Sequence, residues 1–185
     1  AHKIKTLPYP LTWQPSKDLN FNHKEKVILY AGRIHPEKGV KSLFQAWAKL
    51  SLEFVKGWTL RVLGPWKKEQ GGGGKEFRVL LERIIETSQN KIEFHEPLFE
   101  RETLKIEMER ASFFIYPSQA RQGETFGLAV LEAMSCGCSP IVSELPCFAD
   151  FISFGSEGFC LQERKKQNME EAIRAALSKV IVLQE

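Results

Sequence analysis

Cysteine is scarce in this sequence of 185 residues, which contains only Cys136, Cys138, Cys147 and Cys160. Zinc modules use two pairs of ligands at short spacing, and the only close pair here is Cys136 and Cys138, separated by one glycine. Small disulfide scaffolds contain far more cysteine for their length. We therefore interpret the four thiols as buried and reduced, and we predict no metal site.

Long hydrophobic runs and an excess of one charge are also missing. No apolar stretch approaches the roughly 20 residues of a membrane-spanning helix, and no charged start followed by an apolar region resembles a signal peptide. The net charge is only +3, and the lysines and arginines are spread along the chain. This distribution argues against nucleic acid as a partner. We expect a cytoplasmic protein whose weakly basic surface fits a phosphorylated ligand or peripheral association with the inner face of a membrane.

The composition that is present, 43% hydrophobic and 26% charged, is typical of one globular domain. Residues 1–24 are rich in proline and polar residues and lack lasting periodicity, so we predict an entry linker between domains there. Residues 25–185 are predicted to form the domain itself.

From residue 25 onward, short apolar runs alternate with segments of helical periodicity. Strands are predicted at 27–30, 59–63, 92–94, 113–116 and 139–142. Helices are predicted at 40–48, 77–85, 104–111 and 127–134, and a last helix begins at Asn168 with Glu171 as its capping-box partner. This alternation predicts an α/β fold, a Rossmann-like doubly wound parallel sheet. Such sheets bind ligands outside the carboxyl ends of their strands.

The loop after the first predicted strand carries two cations. Arg33 follows Gly32, and Lys38 stands five residues later, just before a helix. Arginine binds phosphate through a forked array of N–H groups and lysine through a mobile point charge, so both side chains suit a diphosphate at the strand ends. The alternative is that both are ordinary solvated surface charges.

The segment from Glu124 to Glu132 is the sharper signal. A helix is expected to start around Thr125 to Gly127, which would leave the amides of the first turn without carbonyl partners and available to an anion. Gly127 would let a ligand approach the backbone closely. The two glutamates would repel phosphate, so as ligand contacts they must bind hydroxyl groups. The alternative is one glutamate stabilised by the helix dipole and a second one in solvent.

Several of these motifs together resemble a known family. They are similar to motifs of the donor-binding domain of retaining glycosyltransferases of family 4. In chain order they are Gly32-Arg33 with Lys38-Gly39, then Pro117-Ser118, then Glu124 and Glu132 in the run ETFGLAVLEAMSCG. The resemblance extends from about residue 27 to the last helix. The family has the GT-B architecture, two Rossmann-like domains facing across a cleft, and this chain resembles the C-terminal one.

The resemblance implies a set of residues that bind a nucleotide-diphosphate sugar: Gly32, Arg33, Lys38, Gly64, Glu96, Leu98, Glu124, Phe126, Gly127, Leu128 and Glu132. Arg33 and Lys38 would hold the diphosphate, and Glu124 would contact hydroxyl groups of the sugar. These three are the implied catalytic residues, and the two cations would stabilise the negative charge that develops on the leaving group.

The other positions would surround the nucleotide. Glu132 would bind the ribose, Gly64 would lie against the nucleotide, the loop 96–98 would contact the base, and the amides of 126–128 would line the sugar and phosphate site. The implied activity is a hexosyltransferase that uses a UDP- or GDP-sugar with retention of configuration, in cell-surface polysaccharide or glycolipid synthesis. No cofactor or metal ion is expected.

The acceptor, a glycan or lipid-linked sugar, would bind to an N-terminal domain that residues 1–24 cannot supply. We therefore expect these 185 residues to be an incomplete enzyme that binds nucleotide but transfers little sugar. The alternative is a non-catalytic regulatory module of the same fold that binds a nucleotide sugar. A receiver-like signalling domain is disfavoured, because acidic residues do not cluster at the strand ends.

A glycine-rich segment at 64–74 departs from the commonest family pattern. It superficially resembles a phosphate-binding P-loop, but Glu69 and Glu76 occupy positions where that motif needs Gly and Ser or Thr. We expect a flexible turn that leads into the next helix. His35 lies between the two candidate cations, and we assign it no chemical role.

Overall fold

The carboxyl ends of six strands meet along one edge of a single parallel sheet. A computed structural model of the chain describes residues 11, 14, 16, 17, 19, 23–120, 124, 127–149, 151–153, 158–161 and 169–183. The strands are β1 Glu25–Ala31, β2 Thr59–Leu63, β3 Ile92–His95, β4 Ala111–Tyr116, β5 Ser139–Ser143 and β6 Phe159–Leu161. They lie in the order β3-β2-β1-β4-β5-β6, and every neighbouring pair is parallel. The predicted α/β fold class is confirmed.

Helices cover both faces of this sheet. They are α1 Val40–Lys49, α2 Gly74–Thr87, α3 Arg101–Arg110, α4 Leu128–Ser135, α5 Pro146–Ala149 and α6 Met169–Leu183. α1 contacts α2 and α6, whereas α3 contacts α4 and lies against β1 and β4. Because right-handed crossovers run outward in opposite directions from β1 and β4, these two layers lie on opposite faces. The strand order reverses between β1 and β4, and this is where open α/β sheets form their ligand crevice.

The core explains why the apolar runs predicted these elements. Val27 to Ala31 of β1 are all buried, as expected for a strand covered on both faces. On α1 the apolar stripe includes Phe44 and Trp47, and both are fully buried. The Trp47 indole donates a hydrogen bond of 3.0 Å to the Lys91 carbonyl oxygen, which satisfies its only polar atom.

Some elements differ from the prediction. Ala111 opens β4 instead of closing α3, because the helix passes directly into the strand with no glycine or proline between them. β6 and α5 were not predicted, since runs of three and four residues carry no readable periodicity. Asn168, the predicted start of the last helix, lies outside the described residues, and α6 is described from Met169.

The described part of the predicted linker contacts the domain. The backbone N–H and hydroxyl of Ser16 donate hydrogen bonds of 2.7 and 2.9 Å to the Glu109 carboxylate on α3. The Lys24 ammonium donates to the carbonyl oxygens of Cys136, at 2.6 Å, and Met108, at 3.3 Å. A cation at the carboxyl end of a helix is stabilised by the helix dipole. The boundary at residue 24 stays a prediction.

None of the helices in the described ranges combines the length and the apolar character that crossing a membrane requires.

A charged network occupies the face of β2 and β3 that α3 leaves partly open. The Arg61 guanidinium contacts the carboxylates of Glu93 and Glu107, each at 2.7 Å, and of Glu25 at 3.7 Å. Burial alone would raise the pKa of Glu93, but hydrogen bonds from Lys91 and Arg61 outweigh it and lower that pKa to about 2. The Glu93 side chain is 22% exposed, so solvent screens part of this interaction.

Acid should weaken this network. Because the pKa of Glu93 is lower in the folded chain than in the unfolded chain, its stabilising effect is complete above pH 4.5 and declines as the pH falls toward 2. We expect the free energy of unfolding of the parent chain to fall by on the order of 1 to 2 kcal/mol more than that of Glu93→Gln between pH 6 and pH 3. Denaturant titrations at both pH values measure the difference. Glu86→Gln, at an exposed position of α2, is the control, and equal pH slopes for the parent and Glu93→Gln would contradict the expectation.

Candidate functional site

A cleft of about 330 Å³ lies where the strand order reverses. It opens at the carboxyl ends of β1 and β2, between the loops that follow β1, β2 and β3 and the first turns of α4. Five of the residues predicted from the sequence line it together: Gly32, Arg33, Gly64, Leu98 and Glu132. The remaining lining is mainly apolar, and a cleft with apolar walls and a few convergent polar groups is the usual form of a small-molecule site.

A larger open groove lies elsewhere. It measures about 840 Å³ and runs along the amino ends of β2 and β3, near Trp58 and Lys91. Ligands of open parallel sheets bind at the opposite edge, outside the carboxyl ends of the strands. We therefore consider the smaller cleft to be the functional site.

The floor of the cleft is backbone, and it depends on Gly64. This residue has a φ of 155°, and a side chain there would overlap the carbonyl oxygen of Gly32. The Gly32 N–H donates a hydrogen bond of 3.1 Å to the Leu63 carbonyl oxygen, which extends the pairing of β1 with β2 into the cleft. Only glycine permits this approach, so the ends of the two strands leave open space above them.

Arg33 is held at the rim by two contacts. Its guanidinium donates hydrogen bonds of 2.7 Å to the Glu37 carboxylate and 3.0 Å to the Gly71 carbonyl oxygen. The side chain is 44% exposed, so solvent and ligands can reach it. His35 does not join this site, because its ring accepts a hydrogen bond from the Glu37 N–H, at 3.4 Å, and caps the short 3-10 helix Pro36–Lys38.

Lys38 is buried, and its partner is Glu124. The ammonium lies 2.6 Å from the Glu124 carboxylate, and the two side chains are 6% and 12% exposed. The Ser118 hydroxyl donates to the same carboxylate at 3.1 Å, and the ring of Tyr116 lies 5.5 Å from the ammonium. Burial disfavours the charged form, but the hydrogen bond with Glu124 outweighs it and raises the pKa of Lys38. Lys38 is therefore a cation at neutral pH.

Backbone contacts tie the Lys38 loop to the Glu124 loop. The Gln119 N–H donates a hydrogen bond of 2.7 Å to the Glu37 carbonyl oxygen. Gly39 has a φ of 71°, and a side chain there would overlap the carbonyl oxygen of Pro117. Because both loops are fixed to each other, Lys38 and Glu124 meet although 86 residues separate them.

The start of α4 differs from the prediction. The helix begins at Leu128, with Gly127 as its N-cap at a φ of 72°, whereas Thr125 and Phe126 lie outside the described residues. A side chain at Gly127 would overlap the ring of Phe148, so packing against α5 already requires glycine there. The carbonyl oxygen of Gly127 accepts hydrogen bonds from the amides of Val130 and Leu131.

Glu132 lines the cleft from the first turns of α4, because helical side chains lean toward the amino end of their helix. Its carboxylate is 14% exposed and lies 3.8 Å from the Arg101 guanidinium. Ala129, one turn earlier, also lines the cleft, and its small side chain leaves room beside Glu132.

The structure does not bring Glu96 into the cleft. Its carboxylate accepts hydrogen bonds from the Trp66 indole, at 3.0 Å, and from the Arg78 guanidinium. Pro97, Leu98 and Phe99 supply the lining from this loop instead. The family resemblance implied that Glu96 lies at the base of the nucleotide, but its side chain turns toward Trp66 and toward Arg78 of α2, and these two donors fix it.

Phe99, Ser118 and Tyr116 contribute to the site although the sequence pattern predicted no role for them. Phe99 is 74% exposed although it lines the cleft. All three stand at or shortly after the end of a strand, so the rule that singled out the Arg33 loop could have found them.

Among the described residues, no three or more histidine, cysteine or acidic side chains come together in a group that could hold a metal ion.

Solved structures of other proteins share this fold. The C-terminal domain of a glycosyl transferase group 1 family protein, LpcC from Francisella tularensis, superposes with a TM-score of 0.67 at 18% identity, covering 91% of this chain and 85% of that one. Anabaena HepE in complex with UDP and glucose superposes with a TM-score of 0.65 at 18% identity, covering 89% of this chain and 40% of HepE. At such low identity these likenesses concern the fold.

Sequence comparisons are more specific. A GDP-mannose:cellobiosyl-diphosphopolyprenol alpha-mannosyltransferase of Xanthomonas oryzae pv. oryzae is 33% identical over 75 residues, which are 40% of this chain and 19% of that protein. The chain thus spans well under half the length of this relative and of HepE. The family model of glycosyl transferases group 1 matches residues 12–181, nearly the whole sequence. The chain belongs to the glycosyl transferases group 1 family.

Proposed function

We propose that this chain binds the nucleotide-diphosphate sugar donor, a UDP- or GDP-sugar, of a retaining glycosyltransferase with the GT-B architecture. The observation that carries the proposal is the cleft itself, which brings Arg33, Gly64 and Glu132 together at the reversal of the strand order, beside the buried pair of Lys38 and Glu124. The diphosphate of such a donor needs a cation, the nucleoside needs open space beside the backbone, and the ribose and sugar need acceptors for their hydroxyl groups. These residues offer all three.

The two cations suit the leaving group. Cleavage of the bond between the sugar and the diphosphate leaves developing negative charge on a phosphate oxygen, and preorganised positive groups stabilise that charge. Arg33 offers a forked donor at the rim, and Lys38 offers an ammonium that is charged before the donor arrives. With this charge supplied by the protein, we expect no metal requirement.

The glutamates suit the hydroxyl groups. A diphosphate that approaches Lys38 competes with Glu124 for the ammonium, and the carboxylate can then accept hydrogen bonds from hydroxyl groups of the sugar. Glu132 lines the same cleft as Gly64 and Arg33, where a ribose would follow the diphosphate. This arrangement makes both glutamates binding groups for the donor.

Related proteins support a nucleotide sugar as the donor, but they differ in the base of the nucleotide. HepE was crystallised with UDP and glucose, and the name of the Xanthomonas protein specifies GDP-mannose and a lipid-linked acceptor. We propose a lipid-linked sugar or glycan as the acceptor of the whole enzyme, held by a further domain at the inner face of the membrane, in cell-surface polysaccharide or glycolipid synthesis.

Calorimetric titration with UDP, GDP and their sugars tests the proposal, and Arg33→Ala sharpens it. The parent chain should bind one nucleotide class, and the variant should bind it roughly 10- to 100-fold more weakly, because a hydrogen-bonded charge on the diphosphate is lost. Arg83→Ala, at an exposed position of α2, is the control and should bind like the parent. Unchanged affinity in Arg33→Ala would contradict the diphosphate assignment.

A further inference from the structure

The segment between β2 and α2, residues 64–74, is fixed in place by hydrogen bonds. The Ile34 N–H donates to the Pro65 carbonyl oxygen at 2.9 Å, and the Gly73 N–H donates to the Ile34 carbonyl oxygen at 2.8 Å. Gly72 packs so closely on the backbone of Trp66 that a side chain would overlap it. The segment is therefore an ordered connection to the Arg33 loop, where a flexible turn was expected.

Its Trp66 side chain reaches the loop after β3. The indole N–H donates to one carboxylate oxygen of Glu96 at 3.0 Å, and the Arg78 guanidinium of α2 donates to the other. The same guanidinium stacks over the Trp66 ring at 4.5 Å and lies 5.5 Å from the centre of the Phe94 ring. Each member of this cluster is thus held by the other two.

The side chains of Trp66, Arg78 and Glu96 do not line the cleft, and the cluster is connected to it through the backbone that follows Glu96. Glu96 lies outside the lining, but the next three residues, 97–99, form its wall on the β3 side. Phe99 is largely exposed, and the loop 96–100 contains no regular secondary structure to hold this wall. The side chain that anchors it from the α2 side is Glu96.

We propose that Trp66 and Arg78 are positioning residues for the nucleoside side of the donor cleft, because they fix the Glu96 carboxylate and with it the wall formed by residues 97–99. This inference rests on the proposed function, since it assigns the wall to the base of the donor. Arg33, which lines the cleft, keeps its own anchors at Glu37 and Gly71, and Lys38, which lies outside the lining, keeps its partner Glu124.

Both oxygens of the Glu96 carboxylate are engaged, so its geometry is defined although the side chain is 62% exposed. Hydrogen bonds from Arg78 and from Trp66 lower the pKa of Glu96, which keeps the carboxylate ionised at neutral pH. An isolated exposed ion pair contributes little to a structure. Here stacking and two charge-assisted hydrogen bonds act on one group, so we expect a modest but measurable effect on the wall.

Two conservative variants test the inference. Trp66→Phe keeps an aromatic ring for Arg78 and removes the N–H donor, and Glu96→Gln removes the charge. We expect each to weaken the binding of UDP or GDP about 3- to 10-fold, consistent with the loss of one such hydrogen bond, and to leave the binding of pyrophosphate within about twofold of the parent. Calorimetry gives the nucleotide affinities, and competition with the nucleotide gives those of pyrophosphate.

Matched controls separate positioning from general damage. Glu82→Gln removes the other carboxylate that pairs with Arg78, at 2.8 Å, and Trp58→Phe makes the same aromatic exchange at the amino end of β2. Both should bind nucleotide and pyrophosphate like the parent.

The outcomes are distinct. Unchanged nucleotide affinity in Trp66→Phe and Glu96→Gln, or equal losses for nucleotide and pyrophosphate, would overturn the inference while the proposed function stands. A parent chain that binds neither UDP nor GDP would overturn both. A thermal melt of each variant checks that it is folded under the conditions of the titration.

Discussion

Lys38→Met is expected to abolish strong nucleotide binding and to destabilise the chain at the same time. The substitution leaves Glu124 buried without its cation, and breaking one side of a buried ion pair costs about 3 to 5 kcal/mol of unfolding free energy. The same change removes a charge from the proposed diphosphate site, so the dissociation constant for UDP or GDP should rise about 10- to 100-fold. Denaturant titration and calorimetry measure the two effects.

A second substitution separates these effects. In Lys38→Met/Glu124→Gln the buried carboxylate is gone, and the Ser118 hydroxyl retains an acceptor in the glutamine amide. Stability should recover by about 2 kcal/mol, because the unpaired charge was the main cost, whereas affinity should stay low. Lys41→Met, at an exposed position of α1, is the matched control for losing a lysine. Recovery of nucleotide binding in the double variant would show that Lys38 does not contact the diphosphate.

Gly64→Ala is expected to lower both the unfolding free energy and the nucleotide affinity of the chain strongly, although it adds only one methyl group to the cleft floor. The new side chain would overlap the carbonyl oxygen of Gly32, and the backbone at a φ of 155° is open almost only to glycine. Relief requires the ends of β1 and β2 to move apart, which breaks the hydrogen bond between Gly32 and Leu63. We expect a loss of about 3 kcal/mol or more in unfolding free energy, together with loss of nucleotide binding.

Gly57→Ala is the control for this substitution. Gly57 also has a positive φ, of 79°, but the nearest atom to a new side chain would be 3.7 Å away, on Lys26. Gly57→Ala should lower the unfolding free energy only by the roughly 1 to 2 kcal/mol that a side chain costs in the left-handed conformation. Its nucleotide binding should equal that of the parent. Equal unfolding free energies for the two variants would contradict the account of the cleft floor.

The sheet was predictable because its inner strands are covered on both faces. β2 was predicted with its observed bounds, and β1, β3, β4 and β5 differ by at most a few residues, since continuous apolar runs mark buried parallel strands. β6 was missed because it contains three residues. The junction of α3 and β4 was misplaced because Ala111 fits the periodicity of the helix and the start of the strand equally well.

The composition of the cleft was predictable to the extent that topology alone determines it. Parallel strands end at one edge, so Gly32, Gly64 and Leu98 had to lie close together, and the lean of helical side chains brought Glu132 toward them. Side-chain partners were not predictable in this way. Lys38 was assigned to phosphate but pairs with Glu124, and Glu96 was assigned to the base but turns to Trp66 and Arg78. Such pairs depend on loop conformations that local sequence does not encode.

The proposal that the cleft holds the donor is tested most directly by a crystal structure of the chain with UDP or GDP bound. We predict diphosphate oxygens within about 3.2 Å of the side-chain nitrogens of Arg33 and Lys38, and a ribose hydroxyl at the same distance from the Glu132 carboxylate. The base should then lie against residues 97–99. A nucleotide bound in the groove at the amino ends of β2 and β3, or with its diphosphate away from both cations, would contradict the account.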